Sequence, residues 1–255
     1  MMPPTEAALG ALMRAQLMRA PFENLSKLLY RNRLGLRGVP DLERYLEGIR
    51  RFNLGGTCYP SAFHFYRLLR ALGYDAALCG AAMPSGEDVH VAITVALEGR
   101  ELLVDVGYGA RFLEPLARDS ARDVAVEYGE DRWVLRPRDG EGRSRLDAYR
   151  GGRQIHGYRI DPTPRTVEHF DRVVGASFAD DATFMNAVML VRHKASESVA
   201  IYNLDLVRST RTACTTERLA GRPELVAAVE REFGIPAEVT KEALAGLGPL
   251  RDIHG

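Results

Sequence analysis

Cys58 stands where a thiol can be made reactive. It follows Gly55-Gly56-Thr57 and precedes an apolar-periodic run that ends at Gly73. The two glycines break the preceding structure. Pro60 suits the first helical position, where its missing N–H costs nothing, and Gly73 suits a left-handed stop. This pattern places Cys58 at a helix N-terminus, where free N–H groups and the helix dipole stabilise a thiolate. A thiolate nucleophile needs a base, and the base needs a group that fixes its tautomer. Two polar residues embedded in apolar strands can supply them: His90 in Asp88-Val89-His90-Val91-Ala92-Ile93, and Asp105 in Val104-Asp105-Val106-Gly107.

The spacing offers a geometric check. With Glu98-Gly99 as a two-residue hairpin loop, Leu97 pairs with Arg100 and His90 falls opposite Gly107. His90 and Asp105 are then diagonal neighbours on one face, within reach of each other's side chains. A three-residue loop or a bulge would put them on opposite faces. Taken singly, such residues carry little weight, since a lone cysteine is most often an inert buried hydrophobe. That is the expectation for Cys79 and Cys214, and a structural role is expected for His64, His156, His169, His193 and His254. His64, nearly two turns along the Cys58 helix, is expected to face away from the thiol.

The elements that must position these residues follow from periodicity. Thr5 is placed to cap a first helix with a stripe of Leu9, Leu12, Met13 and Leu17, ending before Pro21. Residues 21–36 read as an irregular or short-strand segment. Asp41 caps a second helix bearing Leu42, Tyr45, Leu46 and Ile49, so the first third reads as a helical bundle. Strands follow at 74–83, 89–97 and 101–106, with a hairpin over 124–128 and 131–136. The Gly-, Asp- and Arg-rich stretch 138–152 reads as an exposed loop, strands resume over 154–160, and 185–192 with 198–206 form a hairpin. Pro223 to Phe233 is a helix stopped by Gly234, and 237–245 is another. This order defines an α+β protein.

Composition narrows the function. The chain has 255 residues, with 34 basic and 34 acidic side chains, so no global field favours nucleic acid or an anionic membrane. Three cysteines and six scattered histidines form neither a disulfide framework nor a structural zinc site, and no metal is expected. No apolar run approaches a membrane span, and the start lacks a leader pattern, so a cytoplasmic protein is expected. Gly107-Tyr108-Gly109 is neither a dinucleotide fingerprint nor a phosphate loop. The arginines between Arg132 and Arg153, with little aromatic interleaving, read as a solvated face.

In these residues the chain resembles the arylamine N-acetyltransferase family. The likeness is carried by Pro21-Phe22-Glu23-Asn24-Leu25, Gly55-Gly56-Thr57-Cys58, His90 in its strand, and Asp105-Val106-Gly107-Tyr108-Gly109. Phe184-Met185-Asn186 and Tyr202-Asn203-Leu204 extend it through most of the chain. The resemblance implies a helical bundle over 1–75, a central antiparallel β-barrel over 76–180 and an α/β lid over 181–255. Its Cys-His-Asp core would be similar to that of transglutaminases and papain-like cysteine proteases. It further implies ping-pong transfer of acetyl from acetyl-CoA, a co-substrate rather than a resident cofactor, through a Cys58 thioester to an aromatic amine or hydrazine. By the same likeness Phe22 and Tyr108 line the aromatic acceptor pocket.

One departure matters. The family's nucleophile motif reads Arg-Gly-Gly-x-Cys-x-Glu-x-Asn, and here Leu54, Pro60 and Ala62 occupy the Arg, Glu and Asn positions. Removing one charge of a buried pair strands the other, whereas replacing both by apolar groups is nearly neutral. Leu54 and Pro60 read as the second case, a repacked shell. The same acyl-cysteine would serve an amide synthase or a hydrolase. A non-catalytic descendant would have no need of Cys58, His90 and Asp105 together.

Overall fold

Thr5 opens the first helix, α1 (Glu6–Arg19), by accepting the Ala8 N–H at 3.2 Å, and Leu9, Met13 and Leu17 bury its inner stripe. The computed structural model describes residues 3–250, so His254 lies outside the described residues. The expected irregular segment at 21–36 is corrected. Only Phe22–Glu23 is strand (β1), and Leu25–Leu34 forms a helix, α2. Leu25, Leu28 and Leu29 recur at helical spacing and are fully buried, and Gly35, at φ 64°, ends the helix. Asp41 caps α3 (Leu42–Phe52) by accepting the Arg44 N–H at 2.8 Å. Tyr45 and Ile49 turn inward, while Leu42 and Leu46 stay exposed.

Helix α4 (Cys58–Ala71) begins at the cysteine itself, so Pro60 holds the third helical position rather than the first. Its missing N–H still falls among the first-turn groups that have no intrahelical acceptor. Leu72 caps the other end, and Gly73 follows at φ 90°.

Eight strands then build one antiparallel sheet: β2 (Asp75–Met83), β3 (Gly86–Leu97), β4 (Arg100–Val104), β5 (Leu116–Ala117), β6 (Val124–Tyr128), β7 (Asp131–Leu135), β8 (Ser144–Arg150) and β9 (Arg153–Arg165). The order β5-β4-β3-β2-β9-β8-β7-β6 curls into a nearly closed barrel, against which α4 packs through β2 and β3. The stretch expected to be an exposed loop contains β8, paired on both sides by β7 and β9. Its charges concealed it. Leu146 and Ala148 are fully buried, and Asp147 is buried because Arg136 and Arg145 both ion-pair with it, at 2.8 Å each.

After a short helix, α5 (Asp171–Ala176), a second antiparallel sheet has the order β1-β10-β11-β12-β13. Its later strands are β10 (Met189–His193), β11 (Ser198–Tyr202), β12 (Asp205–Ser209) and β13 (Cys214–Arg218). The single expected hairpin is thus a four-stranded meander, because Asn203 at φ 56° turns the chain tightly between Tyr202 and Asp205. Helices α6 (Arg222–Phe233) and α7 (Ala237–Ala243) close the fold, with α7 against α2. No helix among the described residues is long and apolar enough to cross a membrane.

Candidate active site

The β3–β4 hairpin fixes His90 and Asp105 relative to each other. Leu97 pairs with Arg100 across Glu98 (φ 52°) and Gly99 (φ 77°), a two-residue turn whose positive φ angles match the strand twist. The register puts His90 and Asp105 on one face, and His90 Nε2 meets Asp105 Oδ2 at 2.8 Å. Both side chains are almost wholly excluded from solvent. Asp105 is held from two further directions. Its Oδ1 accepts the Gly107 N–H at 2.9 Å, and Oδ2 also accepts the Tyr158 hydroxyl at 2.6 Å.

Cys58 comes to this pair through a close backbone approach. A Cβ on Gly107 would sit 2.8 Å from Cys58 Cα and 2.9 Å from its carbonyl oxygen, so no side chain fits there. The Cys58 side chain lies close enough to His90 to favour its charged form. With Nε2 committed to Asp105, Nδ1 is the nitrogen left for the sulfur. Burial opposes a charged imidazole, but the Asp105 carboxylate and the Cys58 sulfur outweigh it and push His90 up to about 10. The imidazolium therefore persists at neutral pH beside the sulfur, the counter-charge that a thiolate requires.

Glu23 holds the loop before Cys58. Fully buried, it accepts the Ser26 N–H on Oε2 and the Gly56 N–H on Oε1, each at 2.7 Å. Burial raises its pKa, and no cation pairs with it among the described residues. It does the capping that Asn24 would normally do for α2. The Asn24 amide is spent elsewhere, donating to Phe184 and Ala187 carbonyls at 2.8 Å each and accepting the Met189 N–H at 2.9 Å. Leu54, Pro60 and Ala62 are all buried, so the positions that depart from the family motif are packed with apolar groups.

Tyr108 lies against His90, and Phe22 packs within the second sheet. The Tyr108 ring lies 5.4 Å from that of His90, and its hydroxyl hydrogen-bonds His156, which lines the same cleft. Phe22 meets Phe184 edge-on at 6.0 Å and packs with Val191. His64 is buried away from the pair, with Nε2 2.9 Å from the Pro40 carbonyl oxygen and its ring stacked on Tyr45. Cys79 is buried in the barrel wall and burial pushes its thiol pKa up, an inert setting. His169 pairs with Asp88 at 2.8 Å, and His193, pulled down to about 4 by burial, contacts Ser198. No cluster of metal-ligating side chains exists among the described residues. Sequence reasoning missed Tyr158, Glu23 and Gly107 as supports. Glu23 and Gly107 left a signal only as members of the stretches that carry the family resemblance.

A buried thiol, an imidazole and a carboxylate arranged in this way are what a cysteine enzyme of acyl transfer needs. The chain belongs to the N-acetyltransferase family, whose model matches residues 6–242. In fold it is similar to the arylamine N-acetyltransferase of Mycobacterium abscessus, with TM-score 0.78 and 20% identity over 95% of this chain and 89% of that one. The arylamine N-acetyltransferase of Salmonella typhimurium gives TM-score 0.75 and 20% identity over 96% and 93%. That of Bacillus cereus, described as having a Cys-His-Glu triad, gives 0.72 and 18% over 92% and 93%. A curated relative, Proansamycin X synthase of Amycolatopsis mediterranei, is 32% identical over 128 residues, 48% of each chain. That match spans about half the length of the relative.

Proposed function

We propose that this chain moves an acetyl group from acetyl-CoA to an aromatic amine or hydrazine by way of a Cys58 thioester. The observation that carries the reading is the 2.8 Å contact between His90 and Asp105, buried next to a cysteine at a helix start. Cys58 Sγ attacks the thioester carbonyl, and the tetrahedral intermediate collapses as the CoA sulfur leaves, protonated by His90. The amine nitrogen then attacks the acetyl-cysteine, gives a proton to His90, and expels the Cys58 thiolate beside the restored imidazolium. Asp105 holds the ring and balances its charge throughout. The backbone N–H of Cys58, at the start of α4, would receive the oxyanion. Phe22 and Tyr108 would face the acceptor ring. CoA is consumed and released, so no resident cofactor is required.

Intact mass after brief mixing with acetyl-CoA tests this. A single acetyl group on the parent but not on Cys58→Ala, discharged by an arylamine, is the expected result. Failure of the parent to acquire the group, with Cys58 still rapidly alkylated, would refute acetyl-CoA as donor. A second reading, an amide synthase that loads Cys58 with a longer acyl chain, draws on the 32% identity to a synthase. It predicts adducts from longer acyl thioesters and none from acetyl-CoA.

A further inference from the structure

His156 has no part in the chemistry above, yet it holds the hydroxyl of a residue that lies against His90. That residue, Tyr108, follows Gly107, whose N–H donates to Asp105 Oδ1, and precedes Gly109 at φ 77°. The backbone is pinned on both sides, which leaves the tilt of the ring to be set. The ring lies parallel to Phe112, meets Tyr158 edge-on at 4.8 Å and stands 5.4 Å from the His90 ring. Tyr158 also reaches His90, at 4.8 Å. Two aromatic rings thus lie within the range at which a cation is attracted to a π system. The Tyr108 hydroxyl hydrogen-bonds Nδ1 of His156, a residue of β9 in the wall of a cleft between the barrel and the second sheet.

The direction of that bond follows from charge. Burial and the neighbouring Asp105 carboxylate push the Tyr108 hydroxyl well above its ordinary pKa, so it keeps its proton. A buried hydroxyl proton needs an acceptor, and neutral His156 supplies one at Nδ1. A phenol that donates becomes richer in electrons, because hydrogen bonds in a chain polarise one another, and its ring attracts a cation better. A protonated His156 would reverse the bond: Nδ1–H would donate, the Tyr108 oxygen accept, and the ring lose density. We propose that neutral His156 is a positioning residue for acyl transfer, acting through the Tyr108 hydroxyl to set the ring that supports the His90 imidazolium. The proposal rests on the acyl-transfer reading of Cys58, His90 and Asp105. Sharing the cleft with His156 are Asp131 of β7 and Arg150 of β8, paired at 2.7 Å, and Tyr202 of β11 beside Arg150. His193 of β10, held neutral by burial, completes the set, while Asp147 of β8 is paired with Arg136 and Arg145.

Titration of the His90 ring, followed by nitrogen-15 NMR in the parent, His156→Leu, His156→Gln and Tyr108→Phe, tests this without any donor. The parent midpoint is expected at about 10. In His156→Leu and in Tyr108→Phe the proton-binding constant should fall about three-fold, the effect of weakening one cation–ring contact. His156→Gln offers a carbonyl acceptor and should keep the parent midpoint, which separates the hydrogen bond from a packing defect. The parent His90 signal should also shift between about pH 5 and 8, where histidine changes charge, and His156→Gln should lack that inflection. The alkaline limb of kcat for acetyl transfer should move with the His90 midpoint, with KM little changed. Equal midpoints in the parent, His156→Leu and Tyr108→Phe overturn the proposal. So does a His156→Gln midpoint as low as that of His156→Leu. A fall in His156→Leu that Tyr108→Phe does not share also overturns it, since the link would then bypass the hydroxyl. No acetyl transfer in the parent, with the titrations as expected, would sink the transferase reading and leave the support of His90 by His156 and Tyr108 standing.

Discussion

At the scale of single residues the site depends on one charge being kept inside. His90 moves from an ordinary 6.5 to about 10 on folding, so the folded protein holds a proton that the unfolded chain gives up. The stability this contributes is fully present below pH 6.5 and is lost as pH rises through about 10. Asp105→Asn removes the principal support, and urea midpoints across that interval should decline less steeply in the variant than in the parent. The same substitution should slow Cys58 acetylation by about 10²–10⁴-fold, the range for a lost acid–base partner, measured by rapid-quench incorporation. Tyr158→Phe leaves the ion pair but removes the 2.6 Å hydroxyl bond to Asp105. A loss of about ten-fold in kcat with little change in KM is expected, because a hydrogen bond to a charged group contributes about 1.5–3 kcal/mol.

At the scale of elements, Cys58 is held by two loops. Glu23 ties the start of α2 to Gly56, and Gly107 lets the segment after β4 rest on the first residue of α4. Glu23→Ala orphans two buried N–H groups at about 1–3 kcal/mol each, so a clear loss in chemical-denaturation midpoint and a slower iodoacetamide reaction at Cys58 should appear together. Gly107→Ala forces a methyl into backbone, and overpacking of about 1–3 kcal/mol should abolish acetylation before it abolishes folding, as circular dichroism would report. The supports differ in how far the sequence announces them. Cys58, His90 and Asp105 were legible because each breaks a local pattern: a thiol after two glycines, and polar residues inside apolar strands. The turn Glu98-Gly99 made their meeting calculable. Helix α2 was not read because Pro21 and the short β1 obscured its start, and β8 was not read because ion pairs made with neighbouring strands neutralise charges that look solvated in one dimension. Tyr158 and Gly107 act through distant partners, which local spacing does not encode.

At the scale of the whole molecule, β1 belongs in sequence to the helices but in space to the second sheet, where Phe22 pairs with Val191 and Glu23 with Leu190. The next residue, Asn24, makes three bonds to the segment leading into β10. The second sheet is thus anchored through the same few residues that brace the nucleophile loop. Asn24→Ala should cost about 1–3 kcal/mol, and hydrogen exchange should quicken first in residues 189–218, ahead of the barrel. Cys58 reactivity should fall in step, since Glu23 loses its fixed neighbour.

The two-residue turn between β3 and β4 also makes the chain intolerant of length at one point. Successive strand residues face opposite ways, so the distance along the chain from His90 to Asp105 behaves as a parity. Fifteen positions, counted through Glu98-Gly99, give a pair that meets. A single inserted residue in that turn would leave both side chains present, both strands intact, and the two groups on opposite sides of the wall. Descendants of this chain should be able to lengthen the exposed stretch between β7 and β8 and keep a working site. At the β3–β4 turn, a change of one codon triplet would convert an enzyme into a well-folded protein with a cysteine and no base.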